Sequence, residues 1–429
     1  MQNNTIPDIV KKYLNKYSFR LEDLSAKADY ECIVVIPILD EFENLGELCS
    51  SLAVQSKHHL AKTLFVFVVN NSEDASNDVL KNNLASINLL NQLKSKKEIN
   101  IAVIDASTKG NELPLKTAGV GLARKIGMDS ALGYFNYKSK NKKFLVCLDG
   151  DCTVSSNYLE DLFSIVNKEK LNAGYVKYHH LLSRNEEINR AIIVYEIFLR
   201  YYVLGLKYAA SPYAFHTIGS TMFCDYEHYI KIEGMNKRKA AEDFYFMEKL
   251  SKVCKISEIS SAFVYPSPRP SWRVPFGTGQ RVNRFLSKSQ NEYLLYPFES
   301  FDILKKWLQI FNSAKAETAE YYLNESKNIS IHLYNFLINN NFEPTWNNII
   351  INSAKSGQLI LQKKTWFDGF RTLKLIHYLR DNGFDAQNMF YAVDQMLNKS
   401  GLANPPKRTE EIPSLTVQLE YLEILRKLA

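Results

Sequence analysis

Over the first 170 positions the chain alternates short apolar runs with amphipathic stretches. ECIVVIP, TLFVFVV, INIAVID and FLVCL are continuous apolar runs of strand length, bounded by polar or turn-forming residues. Residues 41–55, a stretch ending near residue 93, and residues 116–135 and 155–168 carry apolar positions at helical spacing. Strands alternating with helices of this length predict an α/β fold, a mainly parallel sheet flanked by helices. Beyond residue 170 the order is mixed. AGYVKYHHLL and TIGSTMFC read as strands, residues 186–209 and 240–253 as helices, with a short strand near Ile256. The segment YPSPRPSWRVPFGTGQRVNRF, with Pro266, Pro268, Pro270, Pro275, Gly277 and Gly279, predicts a long loop without regular structure. From about residue 290 strand patterns stop, and FDILKKWLQIF, QLILQKKTWFDGF and LTVQLEYLEILRKL show helical spacing. Three parts are expected: an N-terminal helical extension (residues 1–30), an α/β domain (31–288) and a helical C-terminal domain (289–429).

Composition narrows this little. A chain of 429 residues, 46% hydrophobic and 23% charged, is an ordinary globular protein, long enough for a large domain and a second unit. The net charge of +7 suits anionic small ligands or an acidic membrane surface. No dense Lys/Arg tract accompanies it, so nucleic acid is not an expected partner. The six cysteines form no CxxC pair, which argues for buried reduced thiols and against a zinc site. The longest apolar stretch, AIIVYEIFLRYYVLGLKYAA, is interrupted by Glu196, Arg200 and Lys207, and so reads as a core helix, not a membrane span. MQNNTIPDIVKKYL lacks the apolar core of a signal peptide. A cytoplasmic protein is expected, its basic charge compatible with peripheral contact at the inner face of a membrane.

The candidate chemistry begins where the fourth strand ends, in FLVCLDGDCTV. Asp149 and Asp151 lie at the carboxyl end of a buried strand, where open α/β sheets bind ligands. Residues two apart on a strand point the same way, so two hard oxygen donors would meet there, suiting Mg²⁺ or Mn²⁺ carrying a phosphate. The bland reading is an Asp-Gly surface turn. The first strand ends in IPILDEFENL, where Pro37 stops the ladder and Glu41 opens a helix. The second ends in VVNNSEDAS, where Asn70 can reach a base or ribose, or simply form a turn. In KTAGVGLARKIGMDSAL, Ala123, Gly127 and Ala131 make a small-residue face. Arg124 and Lys125 sit early in that helix, a setting suited to a diphosphate. Glu242 and Asp243 open a later helix, where a carboxylate facing a ligand can act as general base.

In this order, P-x-x-D-E, Asn, G-x-A-R-K-x-G, D-G-D, G-S and E-D, the series resembles family 2 glycosyltransferases of the GT-A fold, over roughly residues 31–285. The resemblance implies a GT-A-like, Rossmann-type sheet holding a nucleotide-sugar donor. Pro37, Glu41 and Asn70 would then contact the nucleoside, and Arg124 the diphosphate. Asp149 and Asp151 match the DxD motif that binds ribose and the metal-chelated diphosphate. Asp243 matches the base that deprotonates the acceptor hydroxyl in inverting members. Two departures stand out. Asn70 replaces a common Asp, and in place of Q-x-x-R-W there is only QRVNRF, with Gln280 and Arg284 one step too far apart. A processive, polymer-extruding synthase is therefore not expected.

The expected activity is transfer of a sugar from a nucleotide-diphosphate donor to a hydroxyl on a glycan or lipid-linked saccharide, with a divalent cation neutralising the leaving group. His216 is a candidate third metal ligand or acceptor contact, set against an ordinary buried core histidine. Glu242, Arg269, Trp272 and Arg273 are candidate acceptor or lid residues, the last three on the Pro-rich loop. Two other classes compete. VCLDGDCTV also satisfies the haloacid-dehalogenase phosphatase pattern, with Asp149 as nucleophile and Asp151 as acid, although that motif belongs on a first strand. A non-catalytic glycan-binding protein on a transferase fold is the other.

Overall fold

The computed structural model describes residues 6–17, 22–24, 26–27, 29–271, 277–313, 315–353 and 355–429. The chain forms two compact units. The first contains Met1–Leu182 and Thr217–Pro268, and the second Ser183–His216, Arg269–Ser271 and Thr278–Ala429.

The first unit is an α/β fold of GT-A-like, Rossmann type. It opens with helix α1 (Asp8–Tyr17), then β1 (Cys32–Ile38), α2 (Phe42–Ala53), α3 (Lys57–Leu60) and β2 (Thr63–Asn70). There follow α4 (Asn77–Lys96), β3 (Ile101–Ala106), α5 (Val120–Ala131), β4 (Phe144–Cys147), β5 (Thr153–Val154), α6 (Tyr158–Lys168) and β6 (Ala173–Tyr178). The chain passes through α7 (Glu186–Tyr208) of the second unit. It then returns as β7 (Met222–Asp225), α8 (Tyr226–Lys231), α9 (Glu242–Val253) and β8 (Ile256–Tyr265).

These strands make one sheet in the order β3-β2-β1-β4-β7-β6-β8-β5. β1 to β4 run parallel, as the alternation predicts, and β1 and β2 are buried along their whole length. β7 enters antiparallel between β4 and β6, and so makes the sheet mixed. Gly127 lets α5 approach this core, because a Cβ there would strike Val35 and Val68. On the far side of α5, Asp129 accepts hydrogen bonds from Tyr13 (2.8 Å) and Tyr229 (2.7 Å), which ties α1 and α8 to the same helix.

Three expectations are corrected. The short strand near Ile256 is ten residues long, paired parallel to β6 with a register shift at Val176/Lys177. Its Ser and Glu positions are exposed in part, which masked the apolar pattern. TIGSTMFC contributes only its last residues to β7, and residues 217–221 form an irregular turn in which the Thr221 hydroxyl donates to the Ile218 carbonyl (2.9 Å). The segment read as wholly irregular contains a helix, α10 (Thr278–Leu286). It forms because Val282 packs on Ala191 and Ile192, and Arg281 and Arg284 both pair with Glu292 at 3.0 and 2.8 Å.

The second unit continues with β9 (Leu294–Leu295), α11 (Phe298–Phe311), α12 (Ala319–Ile329), α13 (Ile331–Asn339), α14 (Phe342–Ile351) and α15 (Ser356–Trp366). α16 (Gly369–Arg380), β10 (Gln387–Asn388), α17 (Met389–Ser400) and α18 (Leu415–Leu428) complete it. α7 belongs to its core, through Ile193, Val194, Ile197, Tyr201 and Leu204. The three charges that interrupt α7 all find partners there. Glu196 pairs with Arg200 (2.8 Å) and with Arg426 of α18 through both oxygens (2.8 and 2.9 Å), and Lys207 donates to the Leu428 carbonyl (3.1 Å). Among the described residues no helix is long and apolar enough to cross a membrane. Lys363 of α15 is buried among Phe311, Tyr322 and Trp346, and donates to the Ser313 and Lys315 carbonyls and the Tyr322 hydroxyl at 2.8–2.9 Å. Burial in that cage pushes its ammonium down to about 8.

Five of the six cysteines are buried and the sixth, Cys254, is half-buried; all are free thiols.

Candidate active site

The two acidic residues after β4 are not on a strand. β4 stops at Cys147, and the Cys152 amide donates to the Asp149 carbonyl (3.2 Å), closing a tight turn over Asp149–Gly150–Asp151–Cys152. Strand alternation therefore does not set the direction of the two carboxylates; the turn does. Gly150 at its tip fits closely, since a Cβ would lie 2.6 Å from the terminal methyl of Ile38 and 3.2 Å from the Glu41 side chain. The same close fit packs the turn against the end of β1.

Pro37 lies inside β1, opposite Val68 of β2. The Leu148 amide donates to Val35, so odd-numbered residues of β1 face β4. Pro37, lacking an N–H, thus falls on the β4 side just past the last paired residue. Asn70 is buried, and its amide donates to the Ile38 and Val68 carbonyls at 3.0 and 3.1 Å. Asn83 donates to the Asn70 carbonyl and the Asn71 side chain, and accepts from the Asp40 amide. Asp40 takes a left-handed backbone (φ 56°), and Glu41, also buried, accepts from Asn44 (2.6 Å). The polar residues at the ends of β1 and β2 therefore brace each other.

Arg124, in the second turn of α5, joins the separate motifs. Its guanidinium pairs with Asp149 (2.5 Å) and with Glu242 at the start of α9. The Arg124 side chain is 2% exposed and Asp149 35%, so the arginine lies behind the aspartate, which forms the open edge. Burial opposes the guanidinium charge, but Asp149 and Glu242 more than offset that, and its affinity for the proton rises. Lys125, the other cation of the motif, is also turned inward, 2.9 Å from Asp129 and 3.0 Å from the Tyr13 hydroxyl. Both were expected to face a diphosphate; their side chains are instead buried on protein partners.

Asp243 follows Glu242, half-buried, with one oxygen accepting from the Phe244 amide (2.7 Å). Burial raises its carboxyl to about 7, reinforced by the neighbouring Glu242 charge and opposed by Arg124. Glu242 is raised as well, again chiefly by burial. An aspartate poised near neutrality beside a fixed arginine–carboxylate cluster is suited to take a proton from a bound hydroxyl.

The motif series contains Gly121 and Gly219, but the sequence assigns them no part in holding this cluster together. Gly219 makes room for the arginine: a Cβ there would lie 2.5 Å from one Arg124 nitrogen and 2.8 Å from the other. At Gly121 a Cβ would strike the Arg238 carbonyl and lie 2.9 Å from the Asn236 carbonyl and 3.0 Å from Glu242. Asn236 donates to the Glu242 carbonyl (2.9 Å), and Ala241 enters α9 in a left-handed conformation (φ 56°), a backbone strain of about 1–3 kcal/mol. The only signal was the spacing of glycines in AGVGLARK and TIGS, whose purpose needs the partner segment to be seen.

His216 belongs to the second unit. It is buried, and burial together with the charges of Arg200 and Lys207 holds its imidazole well below the usual range. Of the readings the sequence leaves open, metal ligand, acceptor contact or core histidine, this burial and a hydrogen bond to the Ala429 backbone match the last. Arg269 is half-buried on the irregular stretch after β8, and Trp272 and Arg273 lie outside the described residues. Among the described residues no group of three or more His, Cys, Asp or Glu is arranged to hold a metal. Asp151 and the second oxygen of Asp149 are hard donors that fit Mg²⁺ or Mn²⁺ only as an ion sharing most of its ligands with a bound diphosphate and water.

No family model matches this chain, and no curated protein matches it. Among solved structures it is similar to residues 1–349 of S. aureus TarS in complex with UDP-GlcNAc, at 14% identity and a TM-score of 0.38, over 86% of this chain and 92% of that one. It is also similar to the mannosyltransferase PcManGT from Pyrobaculum calidifontis in complex with GDP-Man and Mn²⁺, at 12% identity and a TM-score of 0.37, over 86% and 90%. At identities this low no ligand or chemistry is carried over from them.

Proposed function

We propose that the protein is an inverting glycosyltransferase that moves a sugar from a nucleotide-diphosphate donor to a hydroxyl of a glycan or lipid-linked saccharide. The observation that carries this reading is Arg124. It joins Asp149, at the end of a parallel strand, to Glu242, immediately before a carboxyl titrating at about 7.

In this reading the nucleoside lies over the ends of β1 and β2, beside the Asp149–Cys152 turn that Gly150 seats against Ile38 and Glu41. Asn70 and Glu41 act by fixing that surface. Asp243 removes the proton of the acceptor hydroxyl as its oxygen bonds to the anomeric carbon. The bond from that carbon to the diphosphate oxygen breaks on the opposite side, its electron pair leaving with the nucleoside diphosphate, so the configuration inverts. Arg124 positions the Asp149 and Glu242 carboxylates. Mg²⁺ or Mn²⁺ on Asp151 and Asp149 would supply charge neutralisation at the departing diphosphate.

The test uses UDP and GDP and their sugars. With Mn²⁺, a cognate nucleotide should raise the melting temperature of the wild type and of Asp243→Asn alike. Sugar transfer should fall about 10²–10⁴-fold in that variant, the usual contribution of a positioned base. Unchanged transfer by Asp243→Asn refutes the assignment. The absence of any nucleotide-induced shift in the wild type refutes the donor class.

A further inference from the structure

We propose that His179, Phe263 and Tyr265 form an aromatic shelf on which a pyranose ring of the acceptor saccharide stacks. The assignment rests on the transferase reading above and supplies its acceptor subsite.

β6 and β8 run parallel to β4, because β7 lies antiparallel between β4 and β6. The carboxyl ends of these three strands therefore fall on one edge of the sheet, the edge where such sheets bind ligands. β4 leads there into the Asp149–Cys152 turn, His179 follows β6, and Tyr265 closes β8. β5 links the turn to the shelf, since Thr153, two residues beyond Asp151, pairs with Tyr265. Two extended residues and one strand spacing put the Cα atoms of Asp151 and Tyr265 within about 13 Å of each other.

The register also sets the faces. Val154 and Val264 pair and are buried, as is Tyr178 beside Val264. Thr153, Phe263, Tyr265 and His179 lie on the opposite face, each half-buried. The planes of Phe263 and Tyr265 differ by 8°, and His179 crosses them at 64° and 70°, its centroid 5.2 and 4.7 Å away. A bulge brings Phe263 to this place, the register passing from Val176–Ile259 to Lys177–Phe263. Behind the rings, Lys177 lies 3.8 Å from Glu258, with 23% and 25% of their side chains exposed, and Tyr175 donates to Glu258 (2.8 Å).

This combination suits a sugar. The weakly positive C–H groups on one pyranose face match the negative face of an aromatic ring, and a part-exposed ion pair offers a donor and an acceptor to the hydroxyls. Position selects the acceptor over the donor. In the sheet order β2 and β1, assigned to the nucleoside, lie on one side of β4, and β6 and β8 on the other. With the diphosphate at the Asp149–Cys152 turn, the shelf is on the far side from the base.

The test is saturation-transfer NMR on the full chain with chitotriose, cellotriose, maltotriose and mannotriose, each with and without Mn²⁺ and a mixture of UDP and GDP. At least one trisaccharide should bind with roughly millimolar affinity or better, and the nucleotides should not displace it. Tyr265→Ala should weaken that binding at least about fivefold, whereas Tyr265→Phe, which keeps the ring, should bind like the wild type. His179→Ala should weaken it as well, and keeps the test decisive if Tyr265→Ala does not fold. Binding of no trisaccharide, equal binding by both alanine variants, or displacement by nucleotide would each overturn the shelf. Loss of the shelf with an intact nucleotide-induced melting shift leaves the donor reading standing. Trisaccharide binding that depends on Tyr265, in a protein that shows no nucleotide shift, supports the shelf and removes the donor class.

Discussion

Asp243 sits where two unfavourable surroundings meet, a half-buried position and an adjacent carboxylate, and its proton affinity rises with both. Folded, it releases its proton at about 7; unfolded, near the ordinary 3.8. Between those values the folded state holds more protons than the unfolded one, so stability falls as pH rises through that window and then levels off. Asp243→Asn escapes this loss. It should melt above the wild type at about pH 8 and close to it below about pH 4, by calorimetry across the range. Wild-type transfer should rise with pH to a plateau above about 7, the midpoint of the base, in kcat/KM profiles. Gly219 offers a second residue-level test. Gly219→Ala should displace the Arg124 guanidinium and lower kcat with little effect on secondary structure, read by kinetics alongside circular dichroism. The aspartates, the arginine and the acidic pair were all legible as residue types. Their partners were not. Nothing local in the sequence says that Arg124 turns to Glu242, 118 positions away, and not to a ligand.

At the scale of elements, apolar periodicity found β1 to β4 and the helices between them, because burial is nearly complete there and the pattern is strong. It shortened β8, which is part-exposed, and overlooked α10, where arginine–glutamate pairing supports a helix beside prolines and glycines. The approach of α5 to the segment before α9 also left no periodic trace. It depends on Gly121, and Gly121→Ala should push residues 236–238 away from α5. The expected cost is about 1–3 kcal/mol in denaturant unfolding, with a fall in transfer as Glu242 shifts from Arg124.

Over the whole molecule, the two units are interleaved along the chain. A boundary at residue 288 looks natural from composition, yet α7 lies upstream of it and buries Ile193, Ile197, Tyr201 and Leu204 in the core of the helical unit. Gly205 of α7 is pressed against the ring of Phe301, where a Cβ has no room. A chain ending at residue 288 should expose that face and aggregate, in contrast to the full chain, as read by size-exclusion chromatography and dye binding. Apolar periodicity identified α7 as a core helix but not whose core, since a helix buried on several sides looks the same in either.

The enclosed thiols of Cys32, Cys49, Cys147, Cys152 and Cys224 are all pushed up by burial, to about 12 for Cys49 and Cys147. Maleimide reagents will therefore pass them by at neutral pH. After Cys254→Ser alone, a single cysteine engineered at a surface position becomes the only labelling handle, so a fluorophore can be placed on the α14–α15 turn without dismantling the native chain.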